Sequence, residues 1–309
     1  MSKTLTFHVL ILPAGSWGEV RRRFLHVEKL GLDAAGMGDH FVDWTNPPRP
    51  WFEMWSVLSA IAADTSEIRL QTSVAQIPFR NPALLARQAL TVDHISGGRL
   101  EIGLGTGLTS DPSYEMMGSP NWDAGERVAR FGEYVQIVDQ LLSNELTTFK
   151  GDYYNVEGAY MNPRPVQQPR PPITIAALGP KMMRHAAQYA DIWDSLSFAA
   201  DIETQMAETQ QRIEVIDALC DEVGRDRGTL EHSYLMFDAN SRASGGSINY
   251  YDSTDLFEHI VEQAVGMGIS SIGMYYPTVA DQVASFEAIA THTIPKLKRA
   301  VAQTPKPRT

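Results

Sequence analysis

The sequence predicts a (β/α)8 barrel of the TIM type, and three observations point to it. Strand-like and helix-like segments alternate about eight times, with no low-complexity linker to divide them. Residues 81–107, NPALLARQALTVDHISGGRLEIGLGTG, read in one pass as helix, tight turn, strand and glycine-rich exit loop. The length of 309 residues suits one α/β barrel as well as two smaller domains, and the unbroken alternation favours a single domain over residues 1–309. Eight parallel strands, each followed by a helix, place an active site at the carboxyl ends of the strands. A doubly wound sheet is the alternative.

The eight steps follow in order along the chain. Strand 4–12 leads to helix 17–30, strand 34–38 to helix 51–63, and strand 68–74 to helix 83–95. Strand 99–104 leads to helix 126–142, strand 173–177 to helix 181–189, and strand 192–196 to helix 204–223. Strand 232–237 with helix 255–267, and strand 271–275 with helix 280–298, complete the set. In the third helix Leu84, Leu85, Gln88, Ala89, Val92 and Ile95 recur at helical spacing as one buried face. Pro82 suits its first turn, and Ser96-Gly97-Gly98 ends it. Gly103, Gly105 and Gly107 then give a loop on which a ligand can approach the backbone. Insertions are expected after strand 4 (109–125), before strand 5 (146–172, with a hairpin over 147–156) and after strand 7 (241–249).

Composition narrows the function. The chain is 43% hydrophobic and 20% charged, as ordinary soluble proteins are. A net charge of −11 with scattered Lys and Arg argues against nucleic-acid binding. The lone Cys220 excludes an internal disulfide and any multi-cysteine metal site, and suits a reducing cytoplasm. The N-terminal apolar run is too short for a signal peptide or a membrane span. No Gly-x-Ser-x-Gly elbow, His-Glu-x-x-His helix or phosphate-loop lysine occurs. Gly103-x-Gly105-x-Gly107 is a residue short of a dinucleotide fingerprint, and no helix follows it.

Within a barrel, the residues that follow each strand are the candidates for chemistry. Strand 2 leads into Gly38-Asp39-His40, strand 3 ends in Ser73-Val74, and strand 4 enters Thr106-Gly107. Strand 5 ends in Ala176-Ala177-Leu178-Gly179-Pro180-Lys181, where small residues before a helix offer N–H groups and positive dipole to a phosphate. A lone histidine is more often structural, but His40 beside Asp39 past a barrel strand points to proton transfer. Asp39 is either its partner or the N-cap of a short turn. Trp44 is a pocket-wall candidate, whereas Trp51 and Trp55 at helical spacing pack in the core. His8 faces either the barrel interior or the helices, His94, His185, His259 and His292 sit on helices, and Met116-Met117 fills space.

These stretches resemble, in order, the bacterial luciferase-like flavin and deazaflavin oxidoreductases. The resemblance rests on Gly38-Asp39-His40, Ser73-Val74, residues 81–88 and residues 96–107. It continues through Gly125-Glu126-Arg127, residues 149–154, residues 163–167 and Gly179-Pro180-Lys181. It implies a luciferase-like TIM barrel using coenzyme F-420, an 8-hydroxy-5-deazaflavin, or FMN. Residues 38–44 resemble the deazaflavin branch and favour F-420. The resemblance places Asp39 and His40 at the ring, with His40 exchanging a proton, and Ser73-Val74 where the family often carries a non-prolyl cis peptide. Thr106 and Gly107 would border the ring, and Ala176, Ala177, Gly179, Pro180 and Lys181 the phosphate. Leu108, with Trp44 in the substrate pocket, stands where the sugar-phosphate dehydrogenases carry a catalytic glutamate, so oxidation of glucose 6-phosphate is not expected. The family implies hydride transfer or monooxygenation of a small organic substrate, a homodimer and, in some members, a separate flavin or deazaflavin reductase. An FMN-dependent two-component monooxygenase or a non-catalytic flavin-binding barrel are the alternatives.

Overall fold

The structure, a computed structural model, describes residues 4–303. The barrel strands are β1 (Thr6–Leu10), β2 (Ala34–Met37), β3 (Arg69–Thr72) with its short continuation β4 (Ala75–Gln76), and β5 (Leu100–Gly105). A separate hairpin, β6 (Leu146–Lys150) and β7 (Asn155–Tyr160), precedes β8 (Ile173–Ala176), β9 (Ile192–Ser195), β10 (Glu231–Leu235) and β11 (Ser271–Tyr275). The parallel order β3-β2-β1-β11-β10-β9-β8-β5 is closed by pairing of β3 with β5. The expected barrel is therefore observed. Around it lie α1 (Trp17–Lys29), α2 (Met54–Asp64), α3 (Pro82–Ser96), α4 (Ser113–Met117) and α5 (Ala124–Ser143). The circuit continues with α6 (Pro180–Tyr189), α7 (Ile202–Glu222), α8 (Thr254–Gly266), α9 (Val283–Ala288) and α10 (Ile294–Gln303).

Each strand divides its side chains between two environments, as the pleat requires. Phe7 stacks on Phe257 of α8, and the Tyr234 hydroxyl reaches Gln205 of α7, so these faces meet the helices. The opposite faces line the interior and are mostly polar or glycine, with Leu235 and Tyr275 among the exceptions. His8 contacts Ser271 at 3.3 Å, and Thr174 donates to Glu101 at 2.7 Å while Gln71 donates to the same carboxylate. His8 thus faces the interior, where burial pushes its pKa down to about 4 and keeps the ring neutral. Glycine makes room for close packing: a Cβ at Gly103 would strike the Thr72 carbonyl oxygen, and one at Gly105 would strike Val74. These two glycines serve the neighbouring strand rather than a ligand, which corrects the reading of the exit loop.

Local chemistry explains the element ends and the other departures. Ser16 and Glu19 form a capping box on α1. Asn81 caps α3, and Gly97 closes it at φ 68°. Its buried ridge runs through Leu85, Ala86, Ala89, Leu90 and Val92, whereas Leu84 and Ile95 are exposed. Trp51 is outside the second helix, which starts at Met54 behind the Glu53 cap, and instead bridges to Ala14. Val74 lies outside β3, because the Ser73–Val74 peptide is cis and turns the chain into β4. Met116 and Met117 end the unexpected helix α4 and are exposed instead of filling space. The last helical segment contains a π turn at Ile289–Thr293, where Pro295 has no N–H for the Thr291 carbonyl. The insertion before β8 is tied down by buried Asp93, which accepts from the N–H groups of Val166 and Gln167.

Two alanine substitutions test the packing at the β3–β5 seam. Gly103→Ala should lower stability by about 1–3 kcal/mol, because its methyl meets the Thr72 carbonyl. Gly18→Ala, exposed in α1 with open space at its Cβ position, should raise it by about 0.5–1 kcal/mol. Urea unfolding reads both, and a neutral Gly103→Ala would show that the seam does not depend on this approach.

Candidate functional site

The loop after β2 carries two acid–base pairs, and they are not the pairs that chain proximity suggests. Asp39 is buried and gripped by Arg80, whose Nη2 lies 3.1 Å from Oδ1, and it accepts from the Gln76 N–H at 3.0 Å. His40 Nδ1 instead lies 2.6 Å from Oδ2 of Asp111, in the insertion after β5. The orienting acceptor of His40 is therefore Asp111 rather than Asp39. Burial alone would raise the Asp111 pKa. Hydrogen bonds from His40 and from the hydroxyl and N–H of Ser113 outweigh it and hold the carboxyl down at about 2. An ionised carboxylate only accepts, so Nδ1 carries the hydrogen, and proton exchange at this ring falls to Nε2.

Neighbouring side chains fix this imidazole. Trp44 stacks on it with an interplanar angle of 7°, and Trp51 meets it edge-on while donating to the His40 carbonyl at 3.0 Å. Gln76 joins the two pairs: its amide donates to the Asp39 carbonyl at 2.5 Å, and its oxygen accepts from Tyr114. Tyr114 lies under the Arg127 guanidinium, 4.5 Å from ring centroid to Cζ, and Arg127 donates to the Thr106 carbonyl. Gly107 adopts φ 70°, and its missing Cβ is the space taken by the Tyr114 hydroxyl and Gln76.

The remaining expected residues lie on other strand ends. Ser73 begins the cis peptide and donates to Gln71 at 3.3 Å. Ala176 is partly accessible at the end of β8. Ala177 is buried and spends its N–H on the Asp194 carbonyl and its own carbonyl on the Trp193 indole. Gly179 is the N-cap of α6, exposed, with φ −97° and no side-chain cap. No heavy atom lies within 4 Å of its Cβ position, so this glycine supplies open space and not a left-handed turn. Pro180 is at the first helical position and Lys181 is exposed, which leaves a bare helix start suited to a phosphate. Trp44 also lies under Arg242 of the insertion after β10, at 5.0 Å, so that loop reaches the same mouth. Leu108 is exposed there.

Sequence reasoning missed Asp111, Gln76, Arg80, Tyr114 and Arg127. Arg80 and Asp111 act from loops, Gln76 from the two-residue β4, Tyr114 from the short α4 and Arg127 from near the start of α5, and no periodicity marks any of them as functional; the Asp-Pro-Ser run at 111–113, a helix-start pattern, was the available signal. A cleft of about 590 Å³ lies elsewhere, among Arg170, Ala190, Arg225 and Thr229. Arg170 is consumed by Asp139 and Asp191, and Arg225 by backbone carbonyls, so this cleft presents no free charge to a ligand. Among the described residues no cluster of His, Cys, Asp and Glu suits a metal, and no helix is long and apolar enough to cross a membrane.

The sequence profile of the family described as luciferase-like monooxygenase matches residues 3–237. An F-420-dependent glucose-6-phosphate dehydrogenase of Kineococcus radiotolerans is 36% identical over 170 residues, covering 54% of this chain and 49% of that protein. The pyrimidine monooxygenase RutA of Bradyrhizobium sp. is 34% identical over 209 residues, covering 66% of this chain and 56% of the relative. The chain spans about half the length of the curated relatives it matches. An F-420-dependent secondary alcohol dehydrogenase, solved with an F-420–acetone adduct, superposes with a TM-score of 0.77 at 18% identity over 94% of this chain and 99% of that one. The F-420-dependent tetrahydromethanopterin reductase of Methanopyrus kandleri gives 0.76 at 18% identity over 95% and 99%. These two structures share the fold.

Asp111 supports a pH test of the site's stability. Its pKa is about 2 in the folded chain and about 4 unfolded, so it contributes stability above about pH 4 that is lost as pH falls towards 2. Asp111→Asn should cost on the order of 2 kcal/mol at neutral pH and flatten that acid limb. Chemical denaturation across the pH range checks it; an acid limb unchanged from wild type would contradict the His40–Asp111 geometry.

Proposed function

The chain belongs to the luciferase-like monooxygenase family, and from that premise we propose that it is an oxidoreductase using coenzyme F-420. FMN is the alternative cofactor, and the substrate is a small, largely apolar organic molecule. The observation that carries this reading is His40 held by ionised Asp111 at the strand ends, with the uncapped α6 start following β8. Relatives named for F-420 and for monooxygenation support it. When bound, the cofactor supplies a two-electron centre for hydride transfer or, as reduced FMN, for oxygen chemistry.

The protein's own residues do the rest. The free N–H groups at the start of α6 and the Lys181 ammonium hold the anionic tail, and open space at Gly179 admits it. Ser73, Val74, Thr106 and Gly107 border the ring, with Ala176 and Ala177 beneath the cradle. Asp39 acts through Arg80 and Gln76, which anchor the loop that carries His40. His40 takes or gives a proton at Nε2, and Asp111 stabilises the imidazolium that results. Trp44 walls the substrate side. Leu108 offers no acid where sugar-phosphate dehydrogenases have a glutamate, and exposed Phe41, Leu108 and Phe198 on strand-end loops, with Met116 on α4, favour an apolar substrate over a sugar phosphate. A proton-handling pair this well ordered disfavours a barrel that only stores flavin. The proposal includes a homodimer, a cytoplasmic setting that suits the single buried Cys220 and, for the FMN route, a separate reductase.

Two variants separate catalysis from cofactor binding. His40→Asn keeps a hydrogen-bond donor for Asp111, so kcat should fall by about 10² or more while Tm and cofactor affinity change little. Gly179→Val should weaken cofactor binding at least ~10-fold with the fold intact. Turnover assays and cofactor titrations read both; retained kcat in His40→Asn would make that residue scaffold, and unchanged affinity in Gly179→Val would move the phosphate elsewhere.

A further inference from the structure

The Asp194 side chain has no part in the site described above, where only its backbone carbonyl appears. It lies near the end of β9, in register with Ala176 on one side and Ser233 on the other. Its neighbour Trp193 is fully buried on the helix side of the strand, so the alternation turns Asp194 inward. Only the Ser233 hydroxyl and the Ser195 N–H help its carboxyl, and Oδ1 is buried without a hydrogen-bond partner. No lysine or arginine contributes to the balance at this carboxyl among the described residues. The interior's other carboxylate, Glu101, is differently placed, with Gln71 and Thr174 donating to it and Arg69 at 3.9 Å.

An aromatic path leads outward from this carboxylate. Its charge acts on Tyr275 of β11, Tyr275 lies 6.4 Å from Phe237, and Phe237 meets Phe198 edge-on at 5.3 Å. Phe198 is 54% exposed at the mouth. A buried carboxylate without a cation is costly, and a cationic ligand group recovers that cost. The rings of Tyr275, Phe237 and Phe198 would pack against an apolar ligand body.

We infer that Asp194 is a specificity-determining residue that anchors the ammonium head of an amine whose apolar or aromatic body lies along Tyr275, Phe237 and Phe198. This deepens the proposed function, on which it rests, by naming the substrate class of the same mouth. Burial raises the Asp194 pKa only to about 6, so the carboxylate is charged at neutral pH. His8, the neutral imidazole of the interior, supplies no competing cation.

Calorimetric titration near pH 7.5 tests the anchor with two probes of shared aryl body and opposite head charge, 2-phenylethylamine and 3-phenylpropanoate. It is run with and without saturating F-420. The wild-type protein should bind the amine at least ~10-fold more tightly than the acid. Asp194→Asn should reduce that preference to about twofold or less, with cofactor affinity retained and Tm equal or higher. Asp194→Ser takes its place if the asparagine variant does not fold. Equal binding of the two probes to wild type, or a preference that survives in the variant, overturns the anchor. If neither protein binds F-420 or FMN, the proposed function fails, and the amine preference measured on the free protein alone decides the anchor.

Discussion

The seam between β3 and β5 is the contact on which the rest of the site depends. Glycine at 103 and 105 lets the Thr72 carbonyl and the Val74 side chain sit directly against β5. That approach allows the cis Ser73–Val74 peptide to turn the chain and lets Ala75 and Gln76 pair again with β5 as β4. Gln76 is thereby set between Asp39 and Tyr114, and the adjoining turn delivers Arg80 to the Asp39 carboxylate. With Asp39 occupied, His40 is left to Asp111. A sequence choice that looks like loop flexibility is thus a packing requirement, and the geometry of an imidazole several residues away follows from it.

The barrel interior follows a different rule from the one that fills many α/β barrels with branched aliphatics. Here most aliphatic and aromatic residues of the strands face the helices, and the interior holds His8, Gln71, Glu101, Thr174, Asp194, Ser233 and Ser271 together with Leu235 and Tyr275. Such groups persist only when they find partners. Most do: Glu101 is satisfied by Gln71 and Thr174, and His8 is paired with Ser271 and kept neutral. Asp194 is the incomplete member, and for that reason it marks a place for a ligand. The cleft at Arg170 and Arg225 has the opposite character, since its cations are consumed by carboxylates and backbone carbonyls.

Much of the fold was legible because strand and helix periods are written in apolar residues, and those residues make the core. Alternation gave the eight strands and the hairpin at 147–156, and the residues just beyond them included His40, Ser73-Val74 and Gly179-Pro180-Lys181. Periodicity alone was ambiguous where two helical rows compete: Leu84 and Ile95 share one row of α3, but the row through Leu85, Ala89 and Val92 is the buried one. It also ran through Trp51, which bridges to Ala14 ahead of the helix, and through Pro295, whose ring widens the helix into a π turn. The partner of His40 was invisible for a physical reason. Asp111 is 71 positions away and is brought in by an insertion whose path depends on tertiary contacts. The adjacent Asp39 was the wrong guide, because Arg80, 41 positions further along the chain, holds its carboxylate.

The central claim is that this barrel binds a deazaflavin over the strand ends, with its anionic tail at the start of α6. Equilibrium titration of the cofactor-free protein with F-420 and, separately, with FMN, followed by absorbance and fluorescence, tests it most directly. The account predicts saturable one-to-one binding of F-420 with a Kd in the micromolar range or below, on the order of −8 kcal/mol, and weaker binding of FMN. Tighter binding of FMN would contradict the choice of cofactor, and failure of both to bind would contradict the proposed function itself.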